Sequence, residues 1–386
     1  MFSDRVMISL ASRQIWPQVL SVLHFRPAAL WLLHSDDREE SAGPAERLRH
    51  FLCRTSHRLA AATHLKRIAH DNFAAIMQGL DALDVDPQRA LLNFTGGNKL
   101  MATAAFTWAV RLRMRAFYLE RGAQVIMFTP DSGGVSTQSL PLDVHLADDL
   151  DPLELLRCQM GEAEVERAGQ RVTLSVAGRK LGKADLPQYR DRAANLQDFF
   201  DIEGQADGEV RAGDALEWYV ALIVLVLGVR MVRRSLRIKA RSRCGRATYR
   251  PMAEFDLVFN FGGRLWLVDC KDAAPAAHLV DRLQPHVAPA AEARALLEDI
   301  RDRLAVGEAR VIKEDLLHIR QMGGLLGQVV CVRRSKPAPD VLQFARDQKV
   351  EIIQRGELVE RWDALLNPQR PASAEELHHL TQEWGH

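Results

Sequence analysis

Leu92-Asn93-Phe94-Thr95-Gly96-Gly97-Asn98-Lys99-Leu100-Met101 is the stretch from which the fold of the first half can be read. An apolar run over Arg89–Asn93 leads into it, and Thr95-Gly96-Gly97 break that run. A helical pattern over Lys99–Arg113 leaves it. Strand, glycine turn and helix in that order are the repeating unit of a parallel α/β sheet. Glycines here let backbone approach a phosphate, and open N–H groups at a helix start favour anions. Lys99 adds a positive charge. Neither G-x-x-x-x-G-K-[ST] nor G-x-G-x-x-G occurs. On these residues alone, a phosphate-binding loop and a plain strand-to-helix turn stand as equal alternatives.

Working outward, the neighbouring segments repeat the alternation. Val6–Leu10, Ala28–Leu33, Ala116–Leu119 and Gln124–Phe128 read as strands, and Arg13–His24 and Ala45–Arg58 as helices, the second capped at Ser35-Asp36-Asp37. Residues 1–150 are therefore expected to form one Rossmann-like domain. Residues 151–212 read as a connector, with helices at Pro152–Met160 and Leu186–Phe200 and a polar, glycine-bearing linker at Gly204–Gly213. Residues 213–386 read as a second α/β domain. Its elements are an apolar helix at Asp214–Leu227, strands at Phe255–Phe259 and Leu265–Asp269 around a Gly262-Gly263 turn, and a charged helical stretch at Ala274–Leu317. A strand at Gly327–Val332, a helix at Pro339–Asp347 and a strand at Val350–Gln354 complete it.

Composition bounds the rest. A chain of 386 residues, 47% hydrophobic and 26% charged, suits two ordinary globular domains. The net charge of +1 names no partner. Five cysteines without a C-x-x-C pair argue against a disulfide framework and a zinc ribbon, so a cytoplasmic location is expected. The longest apolar run, Ala221–Val229, falls short of the ~18 residues of a membrane span. The first residues lack the apolar segment of a signal peptide.

The richest chemistry lies between Glu217 and Lys271. Glu217 is one of few charges in its helix, Asp256 lies on the first hairpin strand, and Asp269-Cys270-Lys271 ends the second. Carboxylates converging at a strand end suit Mg²⁺ or Mn²⁺. A lysine two residues after an acid shares its strand face, where it can orient water or stabilise negative charge. Asp-x-Lys by itself is common; its order after a helix acid and a glycine hairpin is what carries weight.

Glu217, Glu254-Phe255-Asp256 and Asp269-Cys270-Lys271 together resemble the PD-(D/E)xK nuclease superfamily, with Asp where many relatives have Glu. The resemblance implies a restriction-endonuclease-like fold, Asp256, Asp269 and Glu217 as metal ligands, Lys271 as catalytic lysine, and Mg or Mn as cofactor. Asn93-x-Thr95-Gly96-Gly97-Asn98-Lys99-x-Met101 closely resembles the loop of CARF domains, with Asn98 where relatives usually have Thr. That likeness implies a cyclic oligoadenylate pocket at a homodimer interface. Its residues would be Ser12, Gln14, Ser35, Thr95, Gly96, Gly97, Asn98 and Lys99. A CARF domain followed by such a nuclease looks like the ancillary effectors of type III CRISPR defence. The implied function is a metal-dependent endonuclease, activated most simply by the four-membered ring, since a two-fold dimer matches an even ring. A binding-only sensor with an inactive nuclease domain, and an ungated restriction-like nuclease, are the alternatives. Between Arg230 and Arg250 nine basic residues and no acid occur, among them Arg237 and Arg241. Beside a phosphodiester-cleaving site such a run can track a nucleic-acid backbone; a solvated face is the plainer reading.

Overall fold

The computed structural model describes residues 5–55, 62–120, 124–160, 165–175, 181–190, 196–204, 214–238, 253–271, 291–322, 327–334 and 337–367. It is a mixed α/β protein with two multi-stranded sheets. By its contacts the chain divides into two compact units. The first comprises residues 1–170, 233–267 and 318–328, and the second 171–232, 268–317 and 329–386.

In the first unit, β1 (Val6–Leu10), β2 (Ala29–His34), β3 (Thr63–Arg67), β4 (Ala90–Asn93), β5 (Arg115–Glu120), β6 (Gln124–Pro130) and β7 (Val135–Pro141) form one sheet. Its order is β3-β2-β1-β4-β5-β6-β7. Pairing is parallel from β3 to β5 and antiparallel across β5, β6 and β7. Side chains alternate across the strands, so both faces need cover. Met7, Leu30 and Leu91 join one core with residues of α1 (Trp16–Phe25) and α2 (Gly43–Thr55). Ile8, Leu33 and Leu92 join another with α3 (Phe73–Asp81) and α4 (Lys99–Arg111), where Trp108 is fully buried.

The second sheet contains β8 (Val165–Arg167), β9 (Gln170–Leu174), β10 (Phe200–Glu203), β11 (Val232–Ile238), β12 (Ala253–Phe261), β13 (Arg264–Lys271), β14 (Gly327–Arg333) and β15 (Val350–Gln354). Its order is β10-β9-β11-β12-β13-β14-β15, with β8 also on β11. Among the described residues, the helices that follow the first sheet are α5 (Pro152–Met160), α6 (Asp214–Val226), α7 (Ala291–Met322), α8 (Pro339–Asp347) and α9 (Leu358–Leu366). Within the second unit α6 is apolar nearly all round and correspondingly buried. Trp218 stacks on Phe200 at 5.3 Å between centroids, and the Tyr219 hydroxyl donates to the Leu186 carbonyl at 3.2 Å. Core packing thus accounts for both aromatics beside Glu217.

Two expectations are corrected, at Leu186–Phe200 and at the Ser35-Asp36-Asp37 cap. The helix read at Leu186–Phe200 is not α-helical where described: Lys183–Tyr189 and Gln197–Phe199 are 3₁₀ turns and β10 begins at Phe200. Pro187 lies inside the first turn and favours this short form. The start of the basic stretch is strand β11. The turn at Ser35-Asp36-Asp37 does cap a helix: Asp37 Oδ1 accepts from the Glu39 and Glu40 amides, each at 2.9 Å. The capped element, however, is a short π-helical turn over Arg38–Ala42 that precedes α2. Lys239, Arg241, Arg243, Arg246 and Arg250, the linker from Gln205, and the stretch from Ala274 to Pro289 lie outside the described residues.

The β12–β13 turn is held in the first unit by three hydrogen bonds. Trp16 Nε1 donates to the Gly263 carbonyl at 2.5 Å, the Gly262 amide donates to Asp148 Oδ1 at 2.9 Å, and Asn260 Nδ2 donates to the Leu150 carbonyl at 2.6 Å. Gly262 and Gly263 both have positive φ, 59° and 70°, the pattern of a two-residue type I′ turn. A Cβ on Gly263 would lie 2.7 Å from Val144 Cβ, whereas one on Gly262 meets nothing within 4 Å. Gly262→Ala should therefore cost only the left-handed backbone penalty of ~1–2 kcal/mol, and Gly263→Ala clearly more. Chemical denaturation checks this, and the opposite ranking would contradict the turn assignment.

Candidate functional site

The glycine loop is built by side-chain hydrogen bonds from below. Asn93, at the end of β4, is fully buried, and its Oδ1 accepts from the Thr95 amide at 3.1 Å. Thr95 Oγ1 accepts from the Leu119 amide at 2.8 Å. Gly96 is pressed against β1: a Cβ there would lie 2.0 Å from the Leu10 carbonyl oxygen. Gly97 has φ 73°, a conformation that favours glycine. Asn98 caps α4, its Oδ1 accepting from the Met101 amide and its Nδ2 donating to the His70 carbonyl, both at 2.8 Å. The first turn of α4 carries Lys99 and no acid.

The loop after β1 faces it. Gln18 is buried and donates to the Leu10 carbonyl at 2.7 Å. The Ser12 hydroxyl donates to the Gln14 carbonyl at 3.3 Å. Ser41 Oγ accepts from the Ser35 amide at 3.0 Å and donates to the Ala11 carbonyl at 3.2 Å, binding the loops after β1 and β2 together. Between these loops lies a cavity of about 460 Å³. Ser12, Gln14, Thr95, Gly96 and Gly97 line it, as the loop reading expects. Ser35, Asn98 and Lys99 are not among its lining residues. Ser35 is buried in loop hydrogen bonds and Asn98 is used by the helix cap.

Arg13, in the loop with Ser12 and Gln14, lines it too, and so do residues that sequence reasoning missed: Pro17, Gln18, Glu40, Tyr118, Leu119 and Glu120. Arg13 and Glu40 pair across it at 3.6 Å, both well exposed. The Tyr118 ring is braced on Phe94 at 5.8 Å with 41% of the residue exposed. The signal available for Tyr118 and Glu120 was the alternation at the end of β5, where buried Phe117 and Leu119 leave Tyr118 and Glu120 exposed. A cavity with backbone amides, an arginine, two carboxylates and a tyrosine can hold a ligand that is anionic in one part and a hydrogen-bond donor in another.

The candidate nuclease residues fall on three elements. Glu217 is half-buried in the first turn of α6, Asp256 is half-buried on β12, and Asp269 and Lys271 end β13. The structure brings Asp269 and Lys271 together, with Lys271 Nζ 2.6 Å from Asp269 Oδ1. The pair is lopsided: the Asp269 side chain is 4% exposed and that of Lys271 45%. The Cys331 thiol on β14 donates to Asp269 Oδ2 at 3.7 Å. Burial, with Asp269 as the second cause, pushes that thiol up to about 12, so it stays protonated and a donor at neutral pH. Among the described residues no three His, Cys, Asp or Glu side chains gather into a metal cage. Within β11, Arg233 is paired with Asp151, its Nε donating at 3.0 Å. Arg234 is buried and donates to Gln170 Oε1 at 3.2 Å, and Arg237 pairs with Glu254 at 3.1 Å. These three arginines are knitted into the first unit.

No family model and no curated protein matches this sequence. Solved structures do. Can2 from Sulfobacillus thermosulfidooxidans, solved in complex with cyclic tetra-adenylate, is 15% identical with a TM-score of 0.54, covering 93% of this chain and 97% of its own. Protein VC1899 from Vibrio cholerae is 14% identical with a TM-score of 0.57, covering 94% and 97%. A type III CRISPR defence DNA nuclease activated by cyclic oligoadenylate is 17% identical with a TM-score of 0.54, covering 96% of this chain but 52% of its own. At these identities the likeness is one of fold, and it extends over nearly the whole of the present chain.

Proposed function

We propose that this protein is a cyclic oligoadenylate-activated, metal-dependent endonuclease of CRISPR defence, a CARF domain joined to a PD-(D/E)xK nuclease domain. The observation that carries the reading is the glycine-loop cavity, in a chain that shares its fold end to end with a protein solved with cyclic tetra-adenylate. Backbone amides around Thr95, Gly96 and Gly97 suit ligand phosphates. Lys99 and Arg13 add positive charge beside them, and Ser12 and Gln14 add polar contacts. Tyr118 offers a ring face for a base. A homodimer would set two such pockets about a two-fold axis, matching an even-membered ring such as cyclic tetra-adenylate.

For cleavage, Asp256 and Asp269, with Glu217, would hold Mg²⁺ or Mn²⁺. The absence of a three-ligand cage among the described residues is compatible with this, because Mg²⁺ is commonly held by one or two carboxylates plus substrate phosphate and water. Bound there, the metal would polarise the phosphodiester and lower the pKa of water. Asp256 lies five residues before Phe261 and Asp269 five residues after Arg264, at matched distances from the hairpin turn. Lys271 would leave Asp269 Oδ1 to orient water and steady developing charge. Asp269, held from behind by the Cys331 thiol, keeps its carboxylate in place as that partner departs. Arg241 would contact the nucleic-acid backbone, as would Arg237 on leaving Glu254.

The decisive experiment is a cleavage assay with and without cyclic tetra-adenylate. Wild-type protein should cut nucleic acid only with activator and Mg²⁺ or Mn²⁺, and not in excess EDTA. Asp269→Ala and Lys271→Ala should each abolish cutting and leave activator affinity unchanged; intact cleavage in both variants would sink the nuclease assignment. Lys99→Ala should weaken activator binding about ten-fold, the worth of one charge-assisted contact, by calorimetry. An unchanged dissociation constant takes Lys99 off the ligand. Light scattering should find a dimer at micromolar concentration, and a monomer would contradict the shared pocket.

A further inference from the structure

The end of β14 carries chemistry that the nuclease motif does not include. Cys331 and Arg333 are two residues apart on one strand and so share a face. The Cys331 sulfur donates to Asp269 Oδ2 at 3.7 Å, and Arg333 lies near enough to that thiol to oppose the rise in its pKa. The Arg334 amide donates to the Lys271 carbonyl at 3.3 Å, so β13 and β14 end side by side. Lys271 reaches the single buried carboxylate of Asp269 directly at its Oδ1, and Arg333 follows that carboxylate's thiol partner by two residues on β14.

Arg333 is poorly explained as a stabilising residue. Its Nε is buried and has no acceptor among the described residues. Burying a donor without an acceptor is unfavourable, and a thiol is a weak partner for a guanidinium. The residue itself is only half-buried, and a guanidinium fork matches two phosphate oxygens.

We propose that Arg333 is a phosphate-contacting residue of this site, gripping the nucleic-acid backbone beside Lys271. The inference rests on the nuclease reading above. Its test uses the full chain with cyclic tetra-adenylate, comparing wild type, Arg333→Met and Arg333→Lys. Cleavage is read with Mg²⁺, and binding of the same nucleic acid is read with Ca²⁺ in its place across a salt series. Arg333→Met should cut at least ten-fold more slowly. The slope of log K against log salt should fall by about 0.7–0.9, one phosphate contact. Arg333→Lys, which keeps the charge and loses the fork, should retain the slope and recover only part of the rate. Activator affinity should not change. Arg333→Met with wild-type cutting and slope overturns this inference alone. Failure of both variants to fold, by thermal melting, makes Arg333 structural and also overturns it. A wild type that neither binds nor cuts nucleic acid overturns the nuclease reading and this inference with it.

Discussion

The Leu10 carbonyl is the point on which the first unit's cavity depends. It leaves β1 where the chain turns toward α1, and two groups crowd it. Gln18 donates to it from α1, and Gly96 passes so close that no side chain fits between. This close approach joins the loop after β1 to the loop after β4, and the parallel pairing of those strands makes them neighbours. The Asn93 and Thr95 side chains then fix the loop's height above the sheet. A cavity walled by backbone amides exists because one glycine lets two loops meet. The cost of ordering that much irregular backbone is offset by the fully buried strands beneath it.

What could be read from the sequence, and what could not, follows from the same physics. β1, β2, β4, β5 and α4 were legible because each buries a near-continuous apolar run or a helical stripe in a two-faced core. β7 was not: nearly every residue of Val135–Pro141 is exposed, so no alternation marks it. β3, with its outward His64 and Lys66, hides in the same way. β11 is the instructive case. Its arginines read as a charge run, yet Val232, Arg234, Leu236 and Ile238 all point inward with period two. An arginine on an inward position, one of its amino groups donating to Gln170, disguised a strand as a basic patch. Charge runs report on nucleic acid only once their partners are known, and Arg233 and Arg237 have carboxylate partners.

The candidate residues show the same division. Motif positions fixed by backbone need, such as Gly96, Gly97 and Asn98, were identifiable because few residues can replace them. Their roles differ: the glycines line the cavity, while Asn98 spends both ends of its amide on the helix cap and His70. Cavity residues that arrive from elsewhere, Glu40 from the turn before α2 and Tyr118 from β5, carry no signal that they belong to the cavity. Only topology brings them to the loop.

Asp269 illustrates how a departure from a motif can be read physically. With glutamate, the carboxylate would reach one methylene further from β13. Aspartate keeps it at strand level, where Lys271 from the same face and the Cys331 thiol from β14 each take one oxygen. The shorter residue is thus matched by a donor on the neighbouring strand. A carboxylate so deeply desolvated gains little net stability from a lysine whose ammonium stays on the water side. Its partners orient it more than they stabilise the fold. That lopsidedness suits exchange: the exposed lysine can leave toward an incoming phosphate while the buried thiol keeps the carboxylate in place. The aspartate is therefore compatible with an active centre whose resting state is the Asp269–Lys271 pair, and it does not by itself favour an inactive domain.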